Sequence, residues 1–369
     1  MDTERRALTE NVYLARACEL ALRGAGSTSP NPCVGAVIVR DGVTLGEGFH
    51  RIRGGPHAER EALADAAARK HDVRGATLAV SLEPCNHHGM TPPCTDAILE
   101  AGIARVAIGA RDPNPKTNGA GIARLREGGI DVQLYDDPRA LEIVEPFAVR
   151  TLGGRPYVTL KMAASLDGYV APRPGSHWLT GEAVRERVRE LRIAHDAVMV
   201  GAGTVRVDDP QLTVRPPHAR RRDYVRVVVC EDAPVPPSSR IFERLPGYAR
   251  TIVLAPGGAR SHFAGLESVA ACIFAGDGAR LDLREALAAL GTAGISSVLC
   301  EGGPTFAAGL LAGGLVDRLV WVVAPMFLAN EEAIPAIAQS IGVNERFSFD
   351  SFERVGEDLW LTAKPRRNV

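Results

Sequence analysis

The sequence predicts an α/β protein with two domains. Its 369 residues exceed what one hydrophobic core usually holds. In the first half, β-branched runs alternate with helical segments, which is typical of layered α/β structures with a largely parallel sheet. The composition changes near residues 145–156, where Gly153 to Pro156 is interpreted as a hinge. We therefore assign residues 1–150 and 151–369 to separate domains.

The predicted elements of the first half follow one another through short connections. A helix capped near Thr9 is expected to run to about Arg23, and Asp41-Gly42 predicts a hairpin turn. The other segments show strand or helix periodicity: strands over 34–40, 45–50, 76–82, 105–110 and 130–134, and helices over 57–70, 94–101 and 120–127. This order places His57 and Cys94 at helix starts.

The second half shows the same alternation, with glycine-rich turns after two of its strands. Strands are predicted over 157–161, 196–200, 225–229 and 296–300, and helices over 180–194 and 306–311. The turn at 201–204 is not a complete G-x-G-x-x-G, so by itself it is weak evidence for a nucleotide site. The turn at 301–304 predicts an anion site at a helix start, although an ordinary β-α turn uses the same residues.

Composition and charge argue against several classes of function. The formal net charge is -1 and no basic stripe is present; the cluster at 220–222 is interpreted as a solvated face. The N-terminus is polar, and no apolar run is long enough to span a bilayer. Seven scattered cysteines do not form a disulfide framework, which favours a reducing cytoplasm. Five of them, outside the pattern described next, are interpreted as core thiols.

Residues 57–94 carry a pattern typical of a catalytic zinc site. His57-Ala58-Glu59 comes first, and Pro84-Cys85 and Pro93-Cys94 follow. One histidine and two cysteines hold zinc with a fourth position open to water. The zinc nucleobase deaminase signature is H-x-E followed by P-C-x-x-C, in which the glutamate moves protons and does not bind the metal. Here eight residues, instead of two, separate the cysteines.

The chemistry of such a site follows from its parts. The positive end of a helix dipole favours the cysteine thiolate, and zinc lowers the pKa of a bound water to about 7. Glu59 would take the water proton, hand it to a ring nitrogen, and later protonate the departing ammonia. The insertion at 86–93 is interpreted as a substrate loop across the metal. Alternatively, Cys85 and Cys94 are buried thiols, because cysteine often behaves as a small hydrophobe.

The sequence resembles one known family over nearly its whole length. In the first half, the motifs are Pro30-Asn31-Pro32-x-Val34-Gly35, His57-Ala58-Glu59, Glu83-Pro84-Cys85-x-His87-His88-Gly89-x-Thr91-Pro92-Pro93-Cys94 and Asp112-Pro113-Asn114-Pro115. In the second half, they are Lys161-x-Ala163-x-Ser165-Leu166-Asp167-Gly168, Gly201-x-Gly203-Thr204-x3-Asp208-Asp209-Pro210-x-Leu212-Thr213-x-Arg215 and Glu301-Gly302-Gly303-Pro304. These motifs are similar to those of the bifunctional deaminase/reductases of riboflavin biosynthesis, RibD or RibG.

The resemblance implies a fold and two activities. The fold would be an N-terminal cytidine-deaminase-like α/β/α sandwich with a C-terminal dihydrofolate-reductase-like α/β domain. The first domain would use Zn²⁺ to deaminate a small molecule, 2,5-diamino-6-ribosylamino-4(3H)-pyrimidinone 5′-phosphate. The second would use NADPH to reduce the ribosyl side chain, giving 5-amino-6-ribitylaminouracil 5′-phosphate. The resemblance also implies a homo-oligomer, and neither nucleic acid nor a membrane is an expected partner.

Site roles are carried over residue by residue. The zinc ligands implied are His57, Cys85 and Cys94, with Glu59 as the proton donor. The cofactor side would comprise Ala164, Trp178, Thr204, Asp208 and Gly303. The substrate contacts would comprise Asn31, Ser176, Arg192, Leu212, Arg215 and Glu301, with His50 and Lys116 as further candidates. Arg192 and Arg215 suit a phosphate, because guanidinium pairs with phosphate through two parallel hydrogen bonds.

One departure from the family and three alternative functions remain to be weighed. Cys230-Glu231 stands where the family commonly has Asp-Ser, and an acidic side chain near a 2′-phosphate is expected to repel it. The first alternative is a deaminase whose C-terminal domain binds substrate or dimerises without reducing. The second is a tRNA-type deaminase, which the cysteine spacing and the lack of a basic stripe disfavour. The third is a non-enzymatic zinc module.

Overall fold

The structure, a computed structural model, describes residues 2–170, 178–214, 223–328, 334–338 and 342–366. It divides into two compact units, Met1–Gly154 and Arg155–Val369, each with its own sheet. Ser176 and Arg215, two predicted substrate contacts, lie outside the described residues. Among the residues that are described, no helix is both long and apolar enough to cross a membrane.

The first unit is built on a five-stranded sheet with the order β2-β1-β3-β4-β5. Its strands are β1 (Gly35–Arg40), β2 (Val43–Phe49), β3 (Thr77–Leu82), β4 (Arg105–Ala110) and β5 (Asp131–Leu134). Its helices are α1 (Asp2–Leu22), α2 (Ala58–Ala68), α3 (Cys94–Glu100), α4 (Ala120–Glu127) and α5 (Pro138–Gly153). Strands β3, β4 and β5 run parallel, and β1 is antiparallel to both of its neighbours.

Both faces of this sheet are covered by helices. Alternate strand residues point to opposite faces: Ile38 and Val80 pack in a core with α2, α3 and α4, whereas Val37 and Ala79 pack against α1. Helix α5 covers the same face as α1, where Cys18 contacts its apolar side. The unit is therefore a three-layer α/β/α sandwich, as predicted.

A hairpin and two glycines set the position of α2. Asp41 and Gly42 have φ values of 52° and 79°, as expected for the predicted two-residue turn between β1 and β2. A Cβ atom at Gly46 or Gly48 would lie 2.3 or 2.4 Å from the α2 backbone. Only glycine allows this close approach, which fixes the height of the helix that begins after His57.

The sequence analysis missed α5, and Gly153, the first residue of the predicted hinge, belongs to this helix. Asp137 caps the helix by accepting a hydrogen bond from the backbone N–H of Arg139 at 2.9 Å, and Pro138 occupies the first turn. Gly154 ends it with a left-handed φ of 68°. A proline inside the helix, Pro146, weakened its periodic pattern.

The second unit is built on a nine-stranded sheet with the order β11-β10-β9-β8-β12-β6-β13-β16-β15. Its strands are β6 (Tyr157–Ser165), β8 (Ala197–Gly201), β9 (Val225–Val229), β10 (Ile252–Pro256), β11 (Ala271–Ala275), β12 (Ser297–Cys300), β13 (Arg318–Ala324), β15 (Phe347–Val355) and β16 (Asp358–Pro365). Two short strands, β7 (Tyr169–Val170) and β14 (Ile334–Pro335), pair with each other. The part from β11 to β13 is parallel, and β16 and β15 extend it antiparallel.

Helices and 3₁₀ segments connect these strands. They are α6 (Glu182–Ala194), α7 (Ala202–Asp208), α8 (Leu283–Thr292), α9 (Pro304–Ala312) and the 3₁₀ segments Arg240–Phe242 and Gly257–Leu266. Helices α7 and α8 were not predicted, nor were the strands β10, β11, β13, β15 and β16. The carboxyl ends of parallel strands meet at one edge of a sheet. The turns that follow β8, β9 and β12 therefore lie at the same edge.

The cysteines fit the expectation of core thiols only in part. Cys18, Cys230 and Cys300 are buried, but Cys33 and Cys272 are half-buried. All seven cysteines are free thiols. No disulfide therefore stabilises either core.

Candidate functional site

Three metal-binding side chains meet in the first unit. His57 is the N-cap of α2, Cys85 follows β3, and Cys94 opens α3. Nδ1 of His57 lies 3.5 Å from Sγ of Cys85 and 3.3 Å from Sγ of Cys94. All three candidate ligand atoms lie within 4.8 Å of one another. The backbone N–H of Cys94 also points at Sγ of Cys85, at 3.4 Å.

This donor set fits zinc. Zinc–sulfur and zinc–nitrogen bonds of tetrahedral sites place neighbouring N and S ligands roughly 3.6 Å apart, close to the two N–S distances. One nitrogen and two sulfurs leave a fourth position for water or substrate. A hydrogen bond with Cys94 lowers the pKa of the Cys85 thiol against the effect of burial, and His57 lowers it further. The site thus favours the thiolate at Cys85, whereas the hydrogen bond with Cys85 and burial raise the pKa of the Cys94 thiol.

A carboxylate stands beside the metal ligands. The side chain of Glu59 is only 3% exposed, in the first turn of α2. Burial raises the pKa of the Glu59 carboxyl, and the neighbouring Cys85 thiolate adds to this rise, whereas His57 opposes it. A carboxyl group with a raised pKa is better suited to accept a proton and return it.

Residues around the ligands orient the histidine. The Oγ1 atom of Thr91 lies 3.4 Å from Nε2 of His57, so the inserted loop reaches the ligand's second nitrogen. The rings of His50 and His57 meet edge to face with centroids 5.2 Å apart. His50 donates from Nδ1 to the carbonyl of Pro56 at 3.0 Å, and its Nε2 accepts from Asn31 at 3.2 Å. Burial lowers the pKa of His50, in keeping with this neutral form.

The rest of the inserted loop and Lys116 are more exposed. Residues 87–90 are exposed, so only the far end of the insertion reaches His57. The backbone N–H of Lys116 donates to Oδ1 of Asn114 at 3.1 Å, and its side chain is exposed. Their predicted contact with the substrate stays a prediction.

Glu83, part of the E-P-C motif, has a structural role that the sequence analysis missed. Its buried carboxylate accepts hydrogen bonds from four backbone N–H groups: Asp112 at 3.3 Å, Gly119 at 3.0 Å, Gly121 at 3.0 Å and Ile122 at 3.2 Å. A Cβ atom at Gly121 would lie 2.0 Å from the carbonyl oxygen of Pro84. The segment that carries Cys85 is thereby fixed to the loop after β4 and to α4.

A cavity of about 1950 Å³ lies at the carboxyl edge of the second sheet. Pockets for a single drug-sized ligand are roughly 300–1,000 Å³, so this cavity has room for two ligands side by side. Glycines of both predicted turns line it: Gly201, Gly203, Gly302 and Gly303. Gly303 caps α9 without a side-chain hydrogen bond, which leaves the first amides available to an anion. These features fit a dinucleotide beside a second molecule.

Most predicted cofactor-side residues lie in this cavity. Trp178, Thr204, Asp208 and Gly303 all line it. A Cβ atom at Gly303 would lie 3.6 Å from Oγ1 of Thr204, so the turns after β8 and β12 are neighbours. Ala164 is fully buried, and the adjacent Ala163 lines the cavity instead.

The predicted substrate-side residues Leu212, Arg192 and Glu301 also line the cavity. Leu212 has a left-handed φ of 49°, a strained conformation of the kind found at ligand sites. Arg192 and Glu301 form two hydrogen bonds, Nε to Oε1 at 2.6 Å and Nη2 to Oε2 at 3.0 Å. Burial works against the Glu301 carboxylate, but Arg192 lowers its pKa. The assignment of Arg192 to a substrate phosphate stays a prediction.

Lys161 is a cavity residue whose site role the sequence analysis missed. It lies on β6, and burial lowers the pKa of its ammonium group, whereas Glu301 opposes this shift. Arg192 lowers the pKa further. The signal was available, because a lysine in an otherwise apolar strand is rarely buried without a function.

The structure modifies the expectation for Cys230-Glu231. The Cys230 side chain is buried, and Glu231 faces the cavity as expected. Nε of Arg280, however, lies 3.4 Å from Oε1 of Glu231. Glu231 is therefore paired with Arg280 in this structure. Sequence reasoning missed Arg280 because 48 residues lie between the partners.

Two sequence families match the two halves. Residues 8–110 match the cytidine and deoxycytidylate deaminase zinc-binding region, and residues 156–361 match the RibD C-terminal domain. The riboflavin biosynthesis protein RibD of Escherichia coli K12 is 38% identical, with 96% of this chain and 99% of that protein covered. The protein of the same name from Bacillus amyloliquefaciens is 37% identical, with 97% and 96% covered.

Solved structures agree with these matches. A diaminohydroxyphosphoribosylaminopyrimidine deaminase/5-amino-6-(5-phosphoribosylamino)uracil reductase from Thermotoga maritima superposes with a TM-score of 0.83 at 34% identity, covering 97% of this chain and 99% of that one. Acinetobacter baumannii RibD, form 1, gives 0.82 at 33% identity with the same coverage. The likeness therefore spans both units.

Proposed function

Because the chain belongs to the RibD family of riboflavin biosynthesis enzymes, we propose that His57, Cys85 and Cys94 hold the zinc of its deaminase and that the cavity of the second unit is its reductase site. The chain is a bifunctional enzyme that deaminates a small-molecule pyrimidine and reduces the product with NADPH. The match to the RibD C-terminal domain favours this function over a deaminase alone.

The substrate assignment follows the family. The deaminase converts 2,5-diamino-6-ribosylamino-4(3H)-pyrimidinone 5′-phosphate to its deaminated product, and the reductase yields 5-amino-6-ribitylaminouracil 5′-phosphate. We assign deamination to residues 1–150 and reduction to residues 151–369. The division into two compact units supports this assignment.

The deaminase proposal rests on one observation: three metal-binding atoms converge beside the buried carboxyl group of Glu59. Zinc, when bound, supplies an acidified water for attack on the amino-bearing carbon. Glu59 takes a proton from the attacking water and delivers it to a ring nitrogen. It then takes the second proton from the hydroxyl group added to that carbon and gives it to the amine, which departs as ammonia, so one carboxyl group serves the whole cycle. The His50 ring contacts His57, and Asn31 is hydrogen-bonded to His50, so both residues would border the pyrimidine.

The reductase proposal rests on the cavity and its polar wall. NADPH, when bound, supplies the hydride. The glycine turns would allow its phosphates to approach the backbone, and the first amides of α9 would hold the pyrophosphate. Lys161 faces the same space with a lowered pKa, so it is suited to protonate the ribose oxygen as the sugar opens. Glu301 is hydrogen-bonded to Arg192 and attracts the Lys161 ammonium group electrostatically, so it would help to position both for the substrate.

We also propose that the enzyme is a homo-oligomer of a reducing cytoplasm. Seven free thiols support a reducing compartment. Strand β15 is an edge strand that exposes Phe349 and Phe352, and an apolar edge favours pairing between copies.

Two variants separate the activities. Glu59→Gln should keep its zinc and oxidise NADPH with deaminated substrate, but release ammonia at least ~100-fold more slowly. Lys161→Met should release ammonia like the parent and lose NADPH oxidation. A mixture of the two should restore the full conversion if the intermediate leaves the first site. Undiminished ammonia release by Glu59→Gln would refute the deaminase assignment.

A further inference from the structure

The end of β9 carries the wrong charge for an NADPH enzyme. Glu231 and Asp232 follow this strand and line the cavity. In dinucleotide-binding sheets, an acidic residue at the end of a neighbouring strand binds the ribose 2′-OH of NAD, whereas arginine accommodates the 2′-phosphate of NADP. By this rule the chain should prefer NADH, in conflict with the cofactor of its family.

Two arginines next to this strand end resolve the conflict. Arg280 places Nε 3.4 Å from Oε1 of Glu231. Arg206 donates from Nη2 to the carbonyl oxygen of Ala233 at 2.5 Å. Both guanidinium groups therefore contact the loop 231–233, and both line the cavity.

The topology brings these arginines from opposite sides. Strand β9 lies between β8 and β10. Arg206 comes from α7, directly after β8, whereas Arg280 comes from the turn after β11, on the β10 side. A group seated at the end of β9 would thus have one arginine on each flank.

We propose that Arg206 and Arg280 bind the 2′-phosphate of NADPH. Before the cofactor binds, Glu231 holds Arg280 in place, and the phosphate then replaces Glu231 as the partner of Arg280. This proposal rests on the reductase function proposed above and names the residues that set its cofactor specificity. Guanidinium binds phosphate through charge-assisted hydrogen bonds. The side chains of Arg280 and Glu231 are 92% and 49% exposed, and such surface ion pairs are weak, so a dianionic phosphate can take the arginine over.

Other cationic groups of the cavity are less suited to this phosphate. Arg192 is engaged by Glu301 and by the carbonyl of Thr213. Arg240 pairs with Glu243 at 3.7 Å. Arg206 and Arg280 are the pair that contacts that loop among the described cavity arginines.

The test measures dissociation constants of NADP⁺ and NAD⁺ by calorimetry on the full-length zinc-loaded chain. NAD⁺ is the matched ligand, since it lacks only the 2′-phosphate. Arg280→Ala and Arg206→Ala should each weaken NADP⁺ about tenfold and leave NAD⁺ within about twofold. Glu231→Gln, which frees Arg280, should tighten NADP⁺ about threefold without changing NAD⁺.

Arg284→Ala is the control, because Arg284 lies on α8 and donates to the carbonyl of Gly313 outside the cavity lining. It should leave both constants unchanged. Equal weakening of NADP⁺ and NAD⁺ by Arg280→Ala would overturn the proposal, as would no effect. Unchanged NADP⁺ binding with weaker binding of the pyrimidine ribosyl phosphate would place the substrate phosphate there and also overturn it. A parent chain that binds neither nucleotide would refute the reductase function itself.

Discussion

Arg192 and Glu301 face each other through two nearly parallel hydrogen bonds of 2.6 and 3.0 Å, with side chains 18% and 14% exposed. The pair joins α6 to the end of β12, across the wall of the cavity. Removal of either side chain would leave the charge of the other largely buried and without its ion-pair partner. The pair therefore stabilises the wall of the proposed reductase site.

The first prediction concerns this clamp. Glu301→Ala should lower the free energy of unfolding of the second unit by about 3–5 kcal/mol, because Arg192 loses its buried partner. All three tryptophans, Trp178, Trp321 and Trp360, lie in this unit. Their fluorescence in urea therefore follows its unfolding alone.

A matched control comes from an exposed ion pair of the same unit. Glu357 pairs with Arg354, and their side chains are 83% and 72% exposed. Glu357→Ala should leave the urea midpoint unchanged. Equal shifts for the two variants would contradict the assigned role of the Arg192–Glu301 pair.

The second prediction concerns Glu83. Glu83→Gln replaces one of two acceptor oxygens by an NH₂ group that faces backbone N–H donors of the segment 112–122. The first unit should lose about 1.5–3 kcal/mol of stability. Deaminase kcat/KM should fall about tenfold with zinc retained, because the loop after β4 loses its anchor to the Cys85 segment.

Glu127→Gln on the exposed side of α4 is the control, and it should behave like the parent. Zinc content, ammonia release and NADPH oxidation are measured on the same samples. A Glu83→Gln variant with full deaminase activity, or one whose reductase falls in parallel, would show that the anchor does not act on the zinc site.

The third prediction concerns pH. Burial lowers the pKa of Lys161 from the ordinary lysine value of 10.5, and Arg192 adds to this effect. If the ammonium group is the proton donor, the reductase is active below the lowered pKa and loses activity as the pH rises through it. NADPH oxidation with deaminated substrate should therefore fall with a midpoint below 10.5.

Ammonia release over the same pH range is the control, because Lys161 has no part in deamination. The two profiles should have different alkaline limbs. A reductase rate that stays level up to the ordinary lysine value would exclude Lys161 as the donor.

Local patterns predicted which side chains the structure brings together at the candidate zinc site. His57, Glu59 and Cys94 lie at helix starts that short sequence motifs predict. The structure brings these helix starts together, as the motif spacing indicated. The orienting contact from Thr91 to His57 depends on how the inserted loop folds back, and no spacing rule describes that path. Glu83 was recognised only as part of the E-P-C motif. Its hydrogen bonds were not predicted, because its four backbone partners lie in the distant segment 112–122.

Long-range pairing limited what could be predicted for the second unit. The glycine turns at 201–204 and 301–304 marked two strand ends, but their adjacency depends on the strand order. The pairing of Glu231 with Arg280 joins turns after two different strands, and neither residue signals the other. Helix α5 was missed for a local reason, since Pro146 and the glycines at its end suggested a break.

The most direct test of two activities in one chain is to follow metal content, ammonia release and NADPH oxidation together, with the diaminopyrimidinone phosphate as substrate. The account predicts one zinc per chain, ammonia release without NADPH, and NADPH oxidation only after ammonia has been released. NADPH oxidation before deamination, or deamination by a zinc-free chain, would contradict it.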